Sequence, residues 1–326
     1  MQTGIGRRQF IAALGATTWL ASAQPSRVAS AWPQQAVNLI VPATPSGTID
    51  TIARLFVERL SAALKQPVLI LNRAGAEGLI GMTALANAKP DGYTFLVNAS
   101  SFNSGLLLRK NFIDGVNEFA PVIQLSYTRS MLVSPVTAPF KTVRELAEYG
   151  KANPGKLNVG SAASATTLTL PPLFDALGIK VTAVNYPGTN QIALAMLSGD
   201  VQMAYGGYSA WKPHIESGKL RALAVFSPHR FALAPDVPTI SEAFPGADIV
   251  EAGIGVSAPK GTPADIVARL NQEFNAILAD PAVRERITNL AGGEPKGGTP
   301  EDWRKFQEKE VAQYRKAALA LNITPR

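Results

Sequence analysis

At 326 residues, 46% hydrophobic and 17% charged, the chain has the length for two domains and the composition of a folded globular protein, which excludes disorder. It has no cysteine, so disulfides, thiol nucleophiles and thiolate metal sites are excluded. Three of its basic residues, Arg7, Arg8 and Arg27, lie in a leader without acids, the rest is only mildly basic, and no Lys/Arg cluster interleaves with aromatics, so nucleic acid is not an expected partner.

Residues 1–31 have the layout of an export signal: a basic start, an apolar run from Phe10 to Leu20, and small residues before a cut site. Arg7-Arg8-Gln9-Phe10-Ile11 resembles a twin-arginine signal, and of two A-x-A sites, ending at Ala23 and Ala31, cleavage after Ala31 is expected. The apolar run is shorter than the roughly 20 residues that span a bilayer, and no later segment reaches that length. A soluble, exported protein is expected.

Val37 to Leu64 is the stretch around which the rest of the chain is organised. Val37 to Val41 is apolar apart from Asn38, as for a strand covered on both faces of a parallel sheet. Ile52, Phe56, Leu60 and Leu64 then fall on one face of a helix. Between them lie Thr44, Pro45, Ser46, Gly47, Thr48 and, in the first helical turn, Asp50. A helix starting there offers unpaired amides and a positive dipole end to an anion, with hydroxyls to help. An ordinary capped strand-to-helix connection would look the same. The loop has neither a Walker lysine nor G-x-G-x-x-G, so no nucleotide cofactor is indicated.

Strand and helix keep alternating: a strand at Pro67 to Leu71, a glycine-rich loop from Asn72 to Gly78, a helix over 79–88, and a strand at Thr94 to Val97. Asn98-Ala99-Ser100-Ser101 then lies at a strand's carboxyl end, where open α/β sheets bind ligands, which makes Ser100 a candidate. From about Val133 the pattern restarts, with a capping box at Thr142 and Glu145. Ser161-Ala162-Ala163-Ser164-Ala165-Thr166-Thr167 repeats the hydroxyl-rich chemistry of the first loop, offering Ser161, Ala162, Ser164 and Thr166. Tyr186-Pro187-Gly188-Thr189 is a further tight loop after a strand. Tyr205, Tyr208 and Trp211 would either line an aromatic pocket or pack between lobes. In the C-terminal third, Thr262-Pro263 and Thr299-Pro300 read as capped helix starts, as does Asp280-Pro281, and these helices should cover the first sheet.

These residues resemble one family, the TctC-like or Bug-type solute-binding proteins of tripartite tricarboxylate transporters. The matching stretches run in order from Trp32-Pro33 almost to the C-terminus. They include Val41-Pro42 with Pro45 to Asp50, Asn72-Arg73-Ala74-Gly75, Pro90 to Thr94, Phe119 to Val122, Ala152 to Leu157, Tyr186-Pro187-Gly188, Ser198 to Val201, Gly218 to Val225, Pro235 to Thr239 and Ala258 to Pro263. The resemblance implies a type II-like periplasmic binding protein. Each of its two α/β lobes would hold a mostly parallel sheet flanked by helices, hinged by crossing strands. The expected lobes are 32–130 plus 252–326, and 131–251.

It further implies a non-enzymatic receptor without cofactor or metal, acting as a monomer in the periplasm. The receptor would close on a small carboxylated ligand and hand it to membrane transporter subunits. The ligand carboxylate would be held by the loops Thr44 to Asp50 and Ser161 to Thr167, with Tyr186, Gly188 and Thr189 contributing. The chain departs from the usual Pro-Gly-Gly-Gly-Thr-Asp, having Ser46 and Thr48 for glycines and Ile49 for the threonine. In the second loop Ala162, Ser164 and Leu168 stand where glycines and a histidine are usual. Side-chain hydroxyls would then replace backbone contacts, for a different acid.

Other residues carry weaker readings. Arg129 would assist a second carboxylate or serve as a hinge charge, and His214 and His229 read as surface residues. A sensor for a membrane kinase is one rival function. A secreted hydrolase is another, on Gly207-Tyr208-Ser209, although Trp211 stands where the nucleophile-elbow pattern needs glycine.

Overall fold

The computed structural model describes residues 32–161, 164–186, 188–247 and 251–325. The expected leader, its cut site and Ala162 lie outside the described residues. The first apolar run is β1 (Val37–Val41), and α1 (Thr48–Leu64) buries Ile52, Phe56, Leu60 and Leu64 as the helical spacing predicts. There follow β2 (Val68–Asn72), α2 (Leu79–Ala86), β3 (Thr94–Ala99), a 3-10 turn (Ser100–Ser104), α3 (Gly105–Leu108) and β4 (Phe119–Thr128). Only Arg129 separates β4 from β5 (Ser130–Pro135).

The pattern then repeats as α4 (Val143–Ala152), β6 (Leu157–Ser161), α5 (Ser164–Leu177), β7 (Val181–Asn185), α6 (Thr189–Ser198), β8 (Met203–Gly207), α7 (Tyr208–Glu216) and β9 (Leu220–Phe226). The chain closes with α8 (Ile240–Ala243), β10 (Ala252–Pro259), α9 (Ala264–Leu278), α10 (Pro281–Ala291), β11 (Gly293–Pro295) and α11 (Pro300–Ala320).

Two sheets result, ordered β11-β4-β10-β3-β1-β2 and β7-β6-β8-β5-β9. In the first, β1 lies parallel between β2 and β3; in the second, β6 lies parallel between β7 and β8. The expected two α/β lobes are therefore present, each with a parallel trio at its heart. Both sheets are nonetheless mixed, and the reason is the crossing chain. β4 leaves the first sheet at the carboxyl end of the trio, so β5 enters the second sheet from that same side and must run antiparallel to β8. The return strand β10 does the same beside β3.

The period of two along β5 divides the second lobe's core. Leu132 packs on one face with Leu157, Val159 and Phe174, while Met131 and Val133 pack on the other with Ile192, Val201 and Trp211. In the first lobe, α2 covers one face through Met82 and Leu85, and on α1 Phe56 meets Phe274 of α9 edge-on, with ring centroids 5.2 Å apart. The C-terminal helices do cover the first sheet, since α9 and α11 pack on β4. Thr299 and Asp302 form a reciprocal capping box, and Asp280 caps α10. Thr262 does not cap α9 as expected: its hydroxyl donates to the Pro259 carbonyl, and Pro263 takes the cap position.

Candidate functional site

A cavity of about 310 Å³ lies where the carboxyl ends of the two parallel trios face each other. Four helix starts reach it. α1 contributes Thr48 and Ile49, α5 Thr166, α6 Thr189 and Ile192, and α7 Ser209. The crossing strands supply Thr128, Ser130, Ala252 and Ile254, and Tyr205 of β8 and Tyr314 of α11 complete the wall. Among the described residues no lysine, arginine or histidine lines it. Such a wall can neutralise an anion only with hydroxyls, amides and helix dipoles.

At the mouth of this cavity the first loop and the loop before α6 face each other. Thr44, Pro45, Ser46, Gly47 and Thr48 form one side of an open groove, and Gly188 and Thr189 form the other. The backbone at Ser46 is left-handed, with φ of 68°. Its N–H donates to Asp50 Oδ2 at 2.8 Å.

Asp50 is fully buried and turned away from the ligand space. Its carboxylate also accepts from Arg54 Nε at 2.7 Å and from Asn72 Nδ2 at 2.9 Å. Burial pushes this carboxyl up, but Arg54, Asn72 and the Ser46 N–H outweigh it and hold the group below the ordinary aspartate range. The candidate ligand contact is thus the brace of the first loop.

Three other candidates are also placed differently from the expectation. Ser100 is turned inward, where its hydroxyl oxygen accepts from the Gly253 N–H at 2.9 Å, and its neighbours Ala99 and Ser101 take the cavity wall. The reason is the 3-10 turn that begins at Ser100 and changes which side chain faces out. Ser161 lines a separate cavity of about 280 Å³ between α5 and the second sheet. Tyr186 packs against the second lobe's core, and its N–H donates to the Ser161 carbonyl. The side chain of Ser164 lies outside the described residues. Of the aromatic trio only Tyr205 reaches the cavity, while Tyr208 and Trp211 are core residues.

Behind the cavity wall is a buried polar chain. Glu310 of α11 is 1% exposed and accepts a hydrogen bond from the Tyr314 hydroxyl at 3.0 Å. Ser100 hydrogen-bonds to the same carboxyl, and Thr169 of α5 to the Tyr314 hydroxyl. The other carboxyl oxygen of Glu310 is buried with no partner among the described residues. Burial raises the Glu310 carboxyl to about 8 against the pull of Ser100 and Tyr314. The Tyr205 hydroxyl is likewise pushed up to about 12 by burial, against a hydrogen bond with Ser130, and burial lifts the Tyr314 hydroxyl well above its ordinary value. Burial thus favours the neutral form of all three groups.

Residues 52–323 match the model of the tripartite tricarboxylate transporter family receptor. The chain belongs to that family. BugT of Bordetella pertussis is 32% identical over 291 residues, 88% of this chain and 89% of its own. Among solved structures, Rpa4515 of R. palustris with adipate is 32% identical with a TM-score of 0.80, covering 90% of this chain and all of its own. MatC from Rhodopseudomonas palustris with bound malate is 29% identical with a TM-score of 0.76, covering 88% of this chain and 99% of its own.

The family is one of solute-binding receptors, which removes the hydrolase reading of Gly207-Tyr208-Ser209. In the receptor those residues are instead a fourth strand-to-helix connection, and Ser209 lines the cavity. Gly206-Gly207 ahead of Tyr208 was the available signal, masked by the aromatic spacing. Nothing near Tyr314 in sequence points to the cleft. Arg129, between β4 and β5, is 3% exposed, ion-paired with Glu251 at 3.5 Å and with Glu294, and lies 5.1 Å from the centre of the Tyr127 ring. Its two terminal nitrogens carry these pairs, while its Nε is buried without a partner among the described residues.

Proposed function

We propose that this receptor works in the periplasm, capturing a small organic acid between its lobes and delivering it to the membrane subunits of a tripartite transporter. The observation that carries this reading is the cavity wall itself. Hydroxyl-bearing helix starts from both sheets converge there, with Thr48 on one side and Thr166 and Thr189 on the other, and no basic side chain joins them. Hydrogen bonds to a charged carboxylate contribute about 1.5–3 kcal/mol each, so three or four hydroxyl and amide donors suffice for micromolar affinity, about −8 kcal/mol. Adipate and malate in the two related structures support a small carboxylic acid as the ligand class, while Ser46, Thr48 and Ile49 favour a different acid from those of the family's usual loop.

The lobes assigned here are 32–130 plus 252–326, and 131–251. They close by rotation about the crossings between them, at Arg129 and at Glu251 ahead of β10. The receptor acts as a monomer, exported by its twin-arginine-like leader and cut after Ala31. In the rival reading the same cleft serves a membrane kinase as a ligand sensor. A thermal-shift screen of mono-, di- and tricarboxylic acids on the mature protein tests the ligand class: an acid at 100 times its dissociation constant adds about 2.7 kcal/mol. No shift from any acid in a broad set would refute it. Loss of uptake of that acid on deletion of the gene separates transport from sensing.

A further inference from the structure

We propose that Glu310 is a positioning residue of the receptor's cleft, a buried acid that holds the Tyr314 hydroxyl of the first lobe in place beside Thr169 of the second, directly behind the wall that an anion would face. The inference rests on the organic-acid reading above and extends it to how the cleft stays closed and when it lets go.

Tyr314 is shared by two structures. Its side chain forms part of the cavity wall, and its hydroxyl links Glu310 on one side to Thr169 on the other. Around it, Leu168 of α5 is fully buried among Tyr314, Ala317 and Ala318 of α11, with Leu107, Leu108 and Ile323 packed against them. This contact joins the lobes through side-chain packing rather than through the crossing strands. Its core is the apolar cluster around Leu168, and the Glu310–Tyr314 pair with Thr169 lies beside that cluster.

The groups that act on Glu310 can be named element by element. Its own helix offers Tyr314, β8 offers Tyr205, and the 3-10 turn offers Ser100. The remaining charges nearby on α11, Glu308, Lys309, Arg315 and Lys316, are exposed. α5 carries only Asp175, at its far end, and α3, β4 and β8 carry no charged side chain. At the hinge Glu251 and Glu294 are spent on Arg129. No cation compensates Glu310, and its second oxygen has no partner among the described residues, so the neutral acid is the form the fold accepts. Ionisation above pH 8 would place a negative charge directly behind the wall that receives the ligand's carboxylate. It would also draw water into the seam between α11 and α5. A unit charge about 10 Å from another at an effective dielectric near 20 changes affinity on the order of tenfold.

The test measures adipate and malate binding by calorimetry at pH 6.5 and 9.0 for the wild type and for Glu310→Gln, which keeps the shape without the titration. The same samples, spin-labelled once on each lobe, report lobe separation without ligand. Expected are a fall of about tenfold or more in wild-type affinity at pH 9.0 with parted lobes, and in Glu310→Gln neither change between the two pH values. Equal loss of affinity in both proteins, or lobes whose separation ignores pH, overturns the proposal. If neither acid binds at pH 6.5, the choice of ligand has failed, and lobe separation alone then supports or overturns the role of Glu310. Should Glu310→Gln not fold, Thr169→Val cuts only the far end of the chain and is expected to part the lobes already at pH 6.5. Lobes of Thr169→Val that stay as close as the wild type's would overturn it.

Discussion

Replacing Asp50 by Asn separates a loop brace from a ligand contact. The carboxylate is fully buried and accepts from the Ser46 N–H, from two nitrogens of Arg54 and from Asn72. Breaking a buried ion pair costs about 3–5 kcal/mol when the remaining charge stays buried. Here the Arg54 side chain is 53% exposed, so the freed charge finds water, and the cost falls to about 2–3 kcal/mol. For a protein of this size that lowers the melting temperature by roughly 3–5 °C.

The sign of the pH dependence follows from the depressed carboxyl. Its contribution is present above the unfolded value of 3.8 and is lost as the pH falls through the lower folded value. Urea denaturation at pH 7 should therefore show the full loss, and the gap between variant and wild type should narrow as the pH falls below 3.8. Affinity for the bound acid should drop only as far as the Ser46 loop loosens, several-fold at most. A variant as stable as wild type at pH 7 that binds no acid at all would refute this, and would return Asp50 to the ligand.

Further outcomes are expected elsewhere. Thr166→Val and Thr189→Val each remove one hydroxyl from the cavity wall without changing shape, and each should weaken acid binding by about 10- to 100-fold in calorimetry. Ser46→Gly relieves a left-handed serine, and should raise stability by up to about 1 kcal/mol in urea denaturation. Gly160→Ala should cost about 1–3 kcal/mol by the same assay, because the added carbon would stand 2.4 Å from Ile192 Cγ2 where β6 and α6 pack.

What was legible in the sequence was periodic. The alternation from Val37 to Leu64 recurs as β1, loop and α1, and the restart near Val133 recurs as a second sheet whose parallel trio β7-β6-β8 repeats the order β2-β1-β3. Hydroxyls ahead of helices pointed to Thr48, Thr166 and Thr189 because a helix start fixes where its first side chains lie. Three placements were not legible, for separate physical reasons. Asp50 and Ser100 were misplaced by the local backbone: one turn of helix, or of 3-10 helix, rotates a side chain from the cavity to the interior. Tyr314 was invisible because it reaches the site through tertiary packing of α11 on α5, which no spacing encodes. The left-handed φ of Ser46 is a conformation that glycine adopts without strain, which fits the glycine that the resemblance implies for this position.

Electron density from crystals of the mature receptor grown with the acid that most raises its melting temperature bears on the central claim most directly. The account expects one carboxylate inside the 310 Å³ cavity, within hydrogen-bond reach of the Thr48 hydroxyl and of Thr166 or Thr189. Density for the acid in the separate cavity beside Ser161, or paired with Arg129 at the hinge, with the space between the lobes holding only solvent, would contradict it.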